Sequence, residues 1–186
     1  MHEYEYRHRV CLEETNIVGN VYFTNYISWQ GRCREMFLHD HVPELACELG
    51  GEFNMATTRV SCCHYQELSA FDEVAIRMSV GSLAPSRLGM AFRYYRVLPN
   101  GEEVLVAEGE QEVVCIRRRG KEIEPILIPE VLRSAVKRCF SVYGAACRVN
   151  DINVEQLISG VFQRRIQTAK FAESVPTFAI IVVSST

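Results

Sequence analysis

Glu14-Thr15-Asn16-Ile17-Val18-Gly19-Asn20-Val21-Tyr22-Phe23-Thr24-Asn25-Tyr26 is the stretch whose reading decides the fold, and it runs on through Trp29, Arg34 and Glu35. A polar segment with Gly19 and Asn20 leads straight into a proline-free run from Tyr26 to Leu38. Thr24 or Asn25 can cap that run as a helix. Tyr26, Trp29, Cys33 and Phe37 recur at three- and four-residue steps and form one buried stripe. Gly31 costs such a helix about 1 kcal/mol against alanine, which close backbone contact with a sheet or a second helix would explain. The loop brings backbone N–H groups and short polar side chains to a helix N-terminus, where a carbonyl or a developing oxyanion can be stabilised.

Outward from this stretch the pattern is mostly strand. Before it, Tyr4, Tyr6, His8, Val10 and Leu12 alternate with Glu5, Arg7, Arg9 and Cys11. After it, Phe53–Tyr65, Glu73–Leu83 and Leu88–Leu98 read as strands. Asn100-Gly101 is a two-residue hairpin signal, with Glu103–Arg117 as the return strand. Arg119-Gly120-Lys121 reads as a turn, and Pro129 opens a helix to about Phe140. One strand, a helix and then an antiparallel meander make an α+β chain rather than a series of βαβ units. Residues 148–186 stand apart as an extension of unknown role. Ile152, Leu157, Ile158, Val161 and Phe162 suggest an amphipathic helix there, and Phe178–Val183 a short apolar strand or a disordered end.

Composition narrows the function classes. The 186 residues are 48% hydrophobic and 23% charged, ordinary values for a folded domain. A net charge of -3 argues against a chain-wide footprint for nucleic acid. Phe178–Val183, the longest apolar run, is far short of the roughly 20 residues a membrane span needs. The N-terminus shows no apolar core of a signal peptide, so a cytoplasmic location with no membrane association is expected. The 8 cysteines include no C-x-x-C pair and read as reduced thiols rather than as metal ligands or nucleophiles.

Gly19, Val21, Phe23, Asn25 and Tyr26 match a known pattern: an acidic residue, a short gap, Gly-x-Val, an aromatic or His position, then Asn-Tyr opening a helix. The stretch resembles the acyl-CoA and acyl-carrier-protein thioesterases of the hotdog fold, in the 4-hydroxybenzoyl-CoA thioesterase-like branch. Ala107-Glu108-Gly109 through Val114-Cys115-Ile116, and Pro129 with Leu132, are similar to later parts of that fold. The resemblance implies a hotdog domain over residues 1–147, with an antiparallel sheet wrapped around one long central helix. Where much of the branch has a catalytic aspartate, this chain has Asn16, and an amide cannot act as a general base. Where some relatives place a histidine, it has Phe23. With Tyr-Phe-Thr-Asn-Tyr and Trp29-Gln30-Gly31-Arg32-Cys33-Arg34-Glu35, it looks like the thioesterases of enediyne polyketide biosynthesis.

That resemblance implies hydrolysis of a polyene β-ketoacyl thioester held on the acyl-carrier domain of an iterative polyketide synthase, followed by decarboxylation to a methyl ketone. It also implies a homodimer or homotetramer with the site at a subunit interface, and neither metal nor organic cofactor. The expected catalytic residues are Asn16, Arg34 and Tyr26. Gly19, Trp29, Thr57 and Phe37 are expected to bind substrate.

Each residue has a plainer reading. Asn16 can close an Asx turn instead of directing water or the thioester carbonyl. Arg34 can pair with Glu35 or Glu14 instead of holding substrate oxygens. Tyr26 can be a core tyrosine, and Thr57 and Thr58 simple strand formers. Glu14 is the one nearby carboxylate that could replace the missing base. His8 and His64 read as strand or surface histidines. Two rival functions share or border this fold: a housekeeping acyl-CoA thioesterase, and a non-catalytic acyl-binding partner.

Overall fold

The computed structural model describes residues 3–120 and 122–140. The helix and strand expected beyond residue 148 lie outside the described residues. The order is β1 (Tyr4–Arg9), a 3-10 turn (Leu12–Glu14), α1 (Phe23–His41), α2 (Pro43–Glu48), β2 (Phe53–His64), β3 (Glu73–Leu83), β4 (Arg87–Val97), β5 (Glu103–Arg119), β6 (Glu122–Pro125) and α3 (Glu130–Cys139).

All strand pairs are antiparallel, and the sheet runs β1-β3-β4-β5-β2 with β6 paired to the far end of β5. In this order β1 and β2 are the outer strands, and β2 keeps one edge unpaired among the described residues. One long helix against an antiparallel sheet is the hotdog arrangement. Tyr26, Trp29, Cys33 and Phe37 are all buried, as the helical spacing requires. They meet Val74, Ile76 and Met78 of β3 and Met90, Phe92 and Tyr94 of β4 in one apolar core. On the opposite face of the sheet, Arg7, Arg77, Glu5, Glu73 and Glu103 form exposed ion pairs.

Where α1 crosses β5, the Gln30 side chain lies directly on Gly109. A Cβ on Gly109 would lie 2.7 Å from the Ser61 carbonyl oxygen, and closer still to Gln30 Nε2. Glycine is therefore required there by space, not by backbone conformation. Gly31 is different: a Cβ there would meet nothing within 4 Å. The contact expected for it is not made among the described residues, which leave its face of α1 open.

Several boundaries depart from the sequence reading. α1 begins at Phe23 after Tyr22, with no side-chain cap. Thr24 and Asn25 lie inside the helix rather than capping it. β1 stops at Arg9, so Leu12 is exposed instead of continuing the buried face. α2 and β6 carry too few residues for periodicity to reveal them. Pro43 sits in the first turn of α2, where its missing N–H costs nothing.

Candidate active site

The segment before α1 is built around Glu14 and Asn16. The Glu14 side chain is turned inward and its residue is only 6% exposed. Its Oε2 accepts from the Cys11 N–H at 2.9 Å and lies 2.7 Å from His8 Nε2; its Oε1 accepts from Trp29 Nε1 at 2.8 Å. Arg32 adds a longer ion pair at 3.6 Å. The Glu14 carbonyl accepts from the Tyr22 N–H and, at 2.7 Å, from Asn25 Nδ2. Both ends of the loop are thereby tied to β1 and to the first turn of α1. Burial pushes the Glu14 carboxyl upward, but the hydrogen bonds from Cys11, His8 and Trp29 outweigh it, and the group lies below its ordinary value. Three hydrogen bonds and an ion pair thus occupy this carboxylate, which ties the loop to β1 and α1. His8, which looked like an ordinary strand histidine, is its partner.

Asn16 closes the loop. Its Oδ1 accepts from the backbone N–H of Val18 at 3.0 Å and of Asn20 at 3.2 Å, which is an Asx turn. The Gly19 N–H donates to the Asn16 carbonyl at 2.9 Å, and Gly19 has φ +89°, a value glycine adopts without strain. The turn does not exclude a chemical role, because it uses the oxygen alone. Two N–H donors at Oδ1 fix the orientation of the amide. Nδ2 has no acceptor among the described residues. Asn16 can therefore donate to a carbonyl or oxyanion but cannot accept a proton from water. The N–H groups of Val18, Gly19 and Asn20 are consumed within the loop.

Further along α1, Arg34 reaches over the sheet toward β2 and β5. Its NH1 donates to Gln111 Oε1 at 2.9 Å and lies 3.5 Å from Thr57 Oγ1. Glu35 is 3.9 Å away and largely exposed. The structure thus brings Arg34 and Thr57 together and adds Gln111. Thr58 points the other way, to Glu112 at 2.8 Å. A cavity of about 440 Å³ opens beside Arg34, lined by Glu35, Leu38, Leu49, Asn54 and Met55 among others.

Among the described residues Asn16 and Arg34 share no hydrogen bond: Asn16 bonds within its loop, and Arg34 bonds Gln111 and Thr57. Arg34 lies about 16 Å along the axis from the start of α1, by the helical rise of 1.5 Å per residue. Tyr26 is a core residue here: its ring packs against His64, Trp29 and Tyr94, and its carbonyl accepts from the Tyr94 hydroxyl. Burial raises its phenol well above the usual value. Trp29 and Phe37, expected to line the acyl channel, do not border the cavity beside Arg34. Both face the sheet, where Trp29 serves Glu14, and Phe37 packs on Tyr4 and Phe140. Apolar side chains on the buried stripe of α1 fill the core before they can line a channel.

Gln111 is the site residue that sequence reasoning missed. The signal was present in Glu108-Gly109-Glu110-Gln111-Glu112: the alternation puts the glutamates on one face and leaves a single amide among the inward positions. Cys62, half-buried, has its thiol pushed up to about 12 by burial, and its neighbour Cys63 adds to this. That agrees with an inert thiol. No group of three or more His, Cys, Asp or Glu side chains suited to a metal ion occurs among the described residues.

Residues 10–136 match the family model of the thioesterase-like superfamily. The chain belongs to that superfamily. Among solved structures, this thioesterase is similar to the dynemicin thioesterase, whose crystal structures describe polyene binding: 45% identity and a TM-score of 0.71, covering 76% of this chain and 99% of that one. It also shares the fold of 4-hydroxybenzoyl-CoA thioesterase from Pseudomonas sp. strain CBS-3, at 14% identity and a TM-score of 0.64, covering 75% of this chain and 100% of that one. A 1,4-dihydroxy-2-naphthoyl-CoA thioesterase from Synechocystis has a TM-score of 0.60 at 17% identity, covering 73% of this chain and 96% of that one. A search of curated proteins finds no match. No helix among the described residues is long and apolar enough to cross a membrane.

Proposed function

We propose that this thioesterase releases a polyene β-ketoacyl chain from the acyl-carrier domain of an iterative polyketide synthase of the enediyne type, without a carboxylate base. The observation that carries this reading is the locked amide of Asn16, which offers a donor where a carboxylate would offer an acceptor. Glu14, the nearest acid, is spent on the loop. The 45% identity to the dynemicin thioesterase supports the substrate class.

In this mechanism Asn16 Nδ2 and Arg34 donate to the thioester carbonyl. Water adds to the carbonyl carbon, and the oxyanion is held by these donors, a role in which one donor is worth about 3–4 kcal/mol. The tetrahedral intermediate collapses with cleavage of the C–S bond, and the proton lost by water goes to the departing pantetheine thiolate. The β-keto acid then loses carbon dioxide. The C–C bond electrons pass into an enol, whose tautomer is the methyl ketone. Arg34 orients the acid, while Gly19 and Thr57 flank the acyl group.

Asn16 and Arg34 act together when two copies meet, so the site lies between subunits. The unpaired edge of β2 and the open face of α1 at Gly31 favour such an assembly. A symmetric dimer places the loop of one chain against the helix of the other in both halves at once.

The test is single-turnover hydrolysis of a β-ketoacyl carrier thioester by Asn16→Ala and Arg34→Ala. Each should be slower by ~10²-fold or more, with folding unchanged by circular dichroism. Comparison with the matching CoA thioester separates a carrier-specific enzyme from an acyl-CoA thioesterase. Full activity of Asn16→Ala would remove the amide-donor mechanism.

A further inference from the structure

Arg34 is held in an unusual way for a largely buried cation. Its side chain is 14% exposed, and Glu35, the one carboxylate within ion-pair distance among the described residues, is 3.9 Å away with its own side chain 60% exposed. A pair with an exposed partner at that separation contributes little. Its remaining partners are neutral: Gln111 Oε1 at 2.9 Å and Thr57 Oγ1 at 3.5 Å. Its Nε is buried with no acceptor among the described residues. Taking a guanidinium out of water costs several kcal/mol unless an anion compensates it.

The carboxylates that could compensate it are close in sequence but on the wrong face. Glu110 and Glu112 flank Gln111 in β5, and their side chains go to Arg59, Arg87 and Thr58 on the outer side of the sheet. Gln111, 5% exposed, is the inward position between them. The chain thus places an amide at the one point of this strand where a glutamate would have neutralised Arg34.

We propose that Gln111 is a positioning residue for Arg34: it orients the guanidinium without cancelling its charge, and so leaves that charge for an oxygen of the acyl substrate or for the carboxylate product. The identity of that oxygen rests on the thioesterase mechanism above; the orientation of Arg34 by Gln111 does not.

Two substitutions separate orientation from packing. Gln111→Glu keeps the shape and adds a charge-assisted bond to Arg34. It should melt no lower than the wild type, yet cut kcat on a β-ketoacyl N-acetylcysteamine thioester by ~10²-fold. Gln111→Met keeps the volume but removes the acceptor, freeing the guanidinium to wander; it should lower kcat while leaving the cation available. Octanoate, a plain carboxylate with an apolar tail, reads that availability by calorimetry. Gln111→Glu should weaken its binding by about tenfold or more, the scale of one hydrogen bond to a charged group, and Gln111→Met by much less.

Three outcomes would overturn the proposal. One is equal octanoate affinity in Gln111→Glu and the wild type. Another is a lower melting temperature for Gln111→Glu than for Gln111→Met. The third is no octanoate binding by the wild type. If the wild type bound octanoate through Arg34, and lost it in Gln111→Glu, but never turned over the thioester, the positioning role would stand and the hydrolytic mechanism would fall.

Discussion

Glu14 and Asn16 are two residues apart and divide one task between them. Glu14 spends its carboxylate on β1, the loop and Trp29, so that Asn16 is held in place with its Nδ2 amino group lacking an acceptor among the described residues. The buried charge makes Glu14 a sensitive position. Glu14→Gln substitutes an N–H donor for one of two acceptor oxygens, so either the Cys11 N–H or Trp29 Nε1 faces a donor instead. The expected cost is about 1–3 kcal/mol, read as a lower urea midpoint. The pH dependence follows from the lowered folded-state value of this carboxyl. Its contribution is present above the ordinary carboxylate range and is lost as pH falls through the folded value. Wild type and Glu14→Gln should thus converge in stability on acidification and differ most near neutrality. A constant gap down to low pH would show that the carboxylate charge is not what anchors the loop.

At the scale of elements, the contact that sets the site is α1 over β5. Gln30 is fully buried, and its Nε2 donates to the Ser61 carbonyl at 3.0 Å directly above Gly109. This contact fixes how α1 sits on the sheet, and therefore where Arg34 meets Gln111, one inward position along β5. Gly109→Ala inserts a methyl group onto the Gln30 amide of α1 and the Ser61 carbonyl oxygen of β2, so the Gln30–Ser61 bond breaks and the strand must shift. Overpacking of this kind costs about 1–3 kcal/mol. The variant should melt lower, and kcat should fall by more than the small loss of folded protein explains. A Gly109→Ala protein with full activity and an unchanged melting temperature would mean that the Gln30 side chain and β2 have room to shift.

For the whole molecule, the proposed mechanism calls on Asn16 of one copy and Arg34 of another. The exposed edge of β2 is also a hazard unless it is paired, since long free edges invite association. A dimer or a dimer of dimers is expected by light scattering at micromolar concentration. The same result is expected for a chain ending at residue 147, because the described core closes with α3, whose Leu132, Ala135 and Val136 are buried. A monomeric, fully active protein would place the site within one subunit. Loss of soluble protein on truncation would assign residues 148–186 to the core or to an interface.

What the sequence determined by itself was the set of elements whose periodicity is long. The stripe of α1, the strands β2 to β5 and the Asn100-Gly101 hairpin follow from local rules: burial repeats at 3.6 or 2 residues, and turns need particular residues. The motif around Asn16, Gly19 and Tyr26 was legible for the same reason, since a loop meeting a helix start is a local feature. Tertiary structure alone decided the rest. Glu14 became an anchor because His8 and Trp29, distant in sequence, converge on it. Trp29 and Phe37 became core because the sheet covers that face of α1. Gln111 entered the site because β5 passes beneath Arg34, a contact across 77 positions that no local pattern encodes. Charge compensation depends on which groups share a volume, and only the folded chain brings them into it.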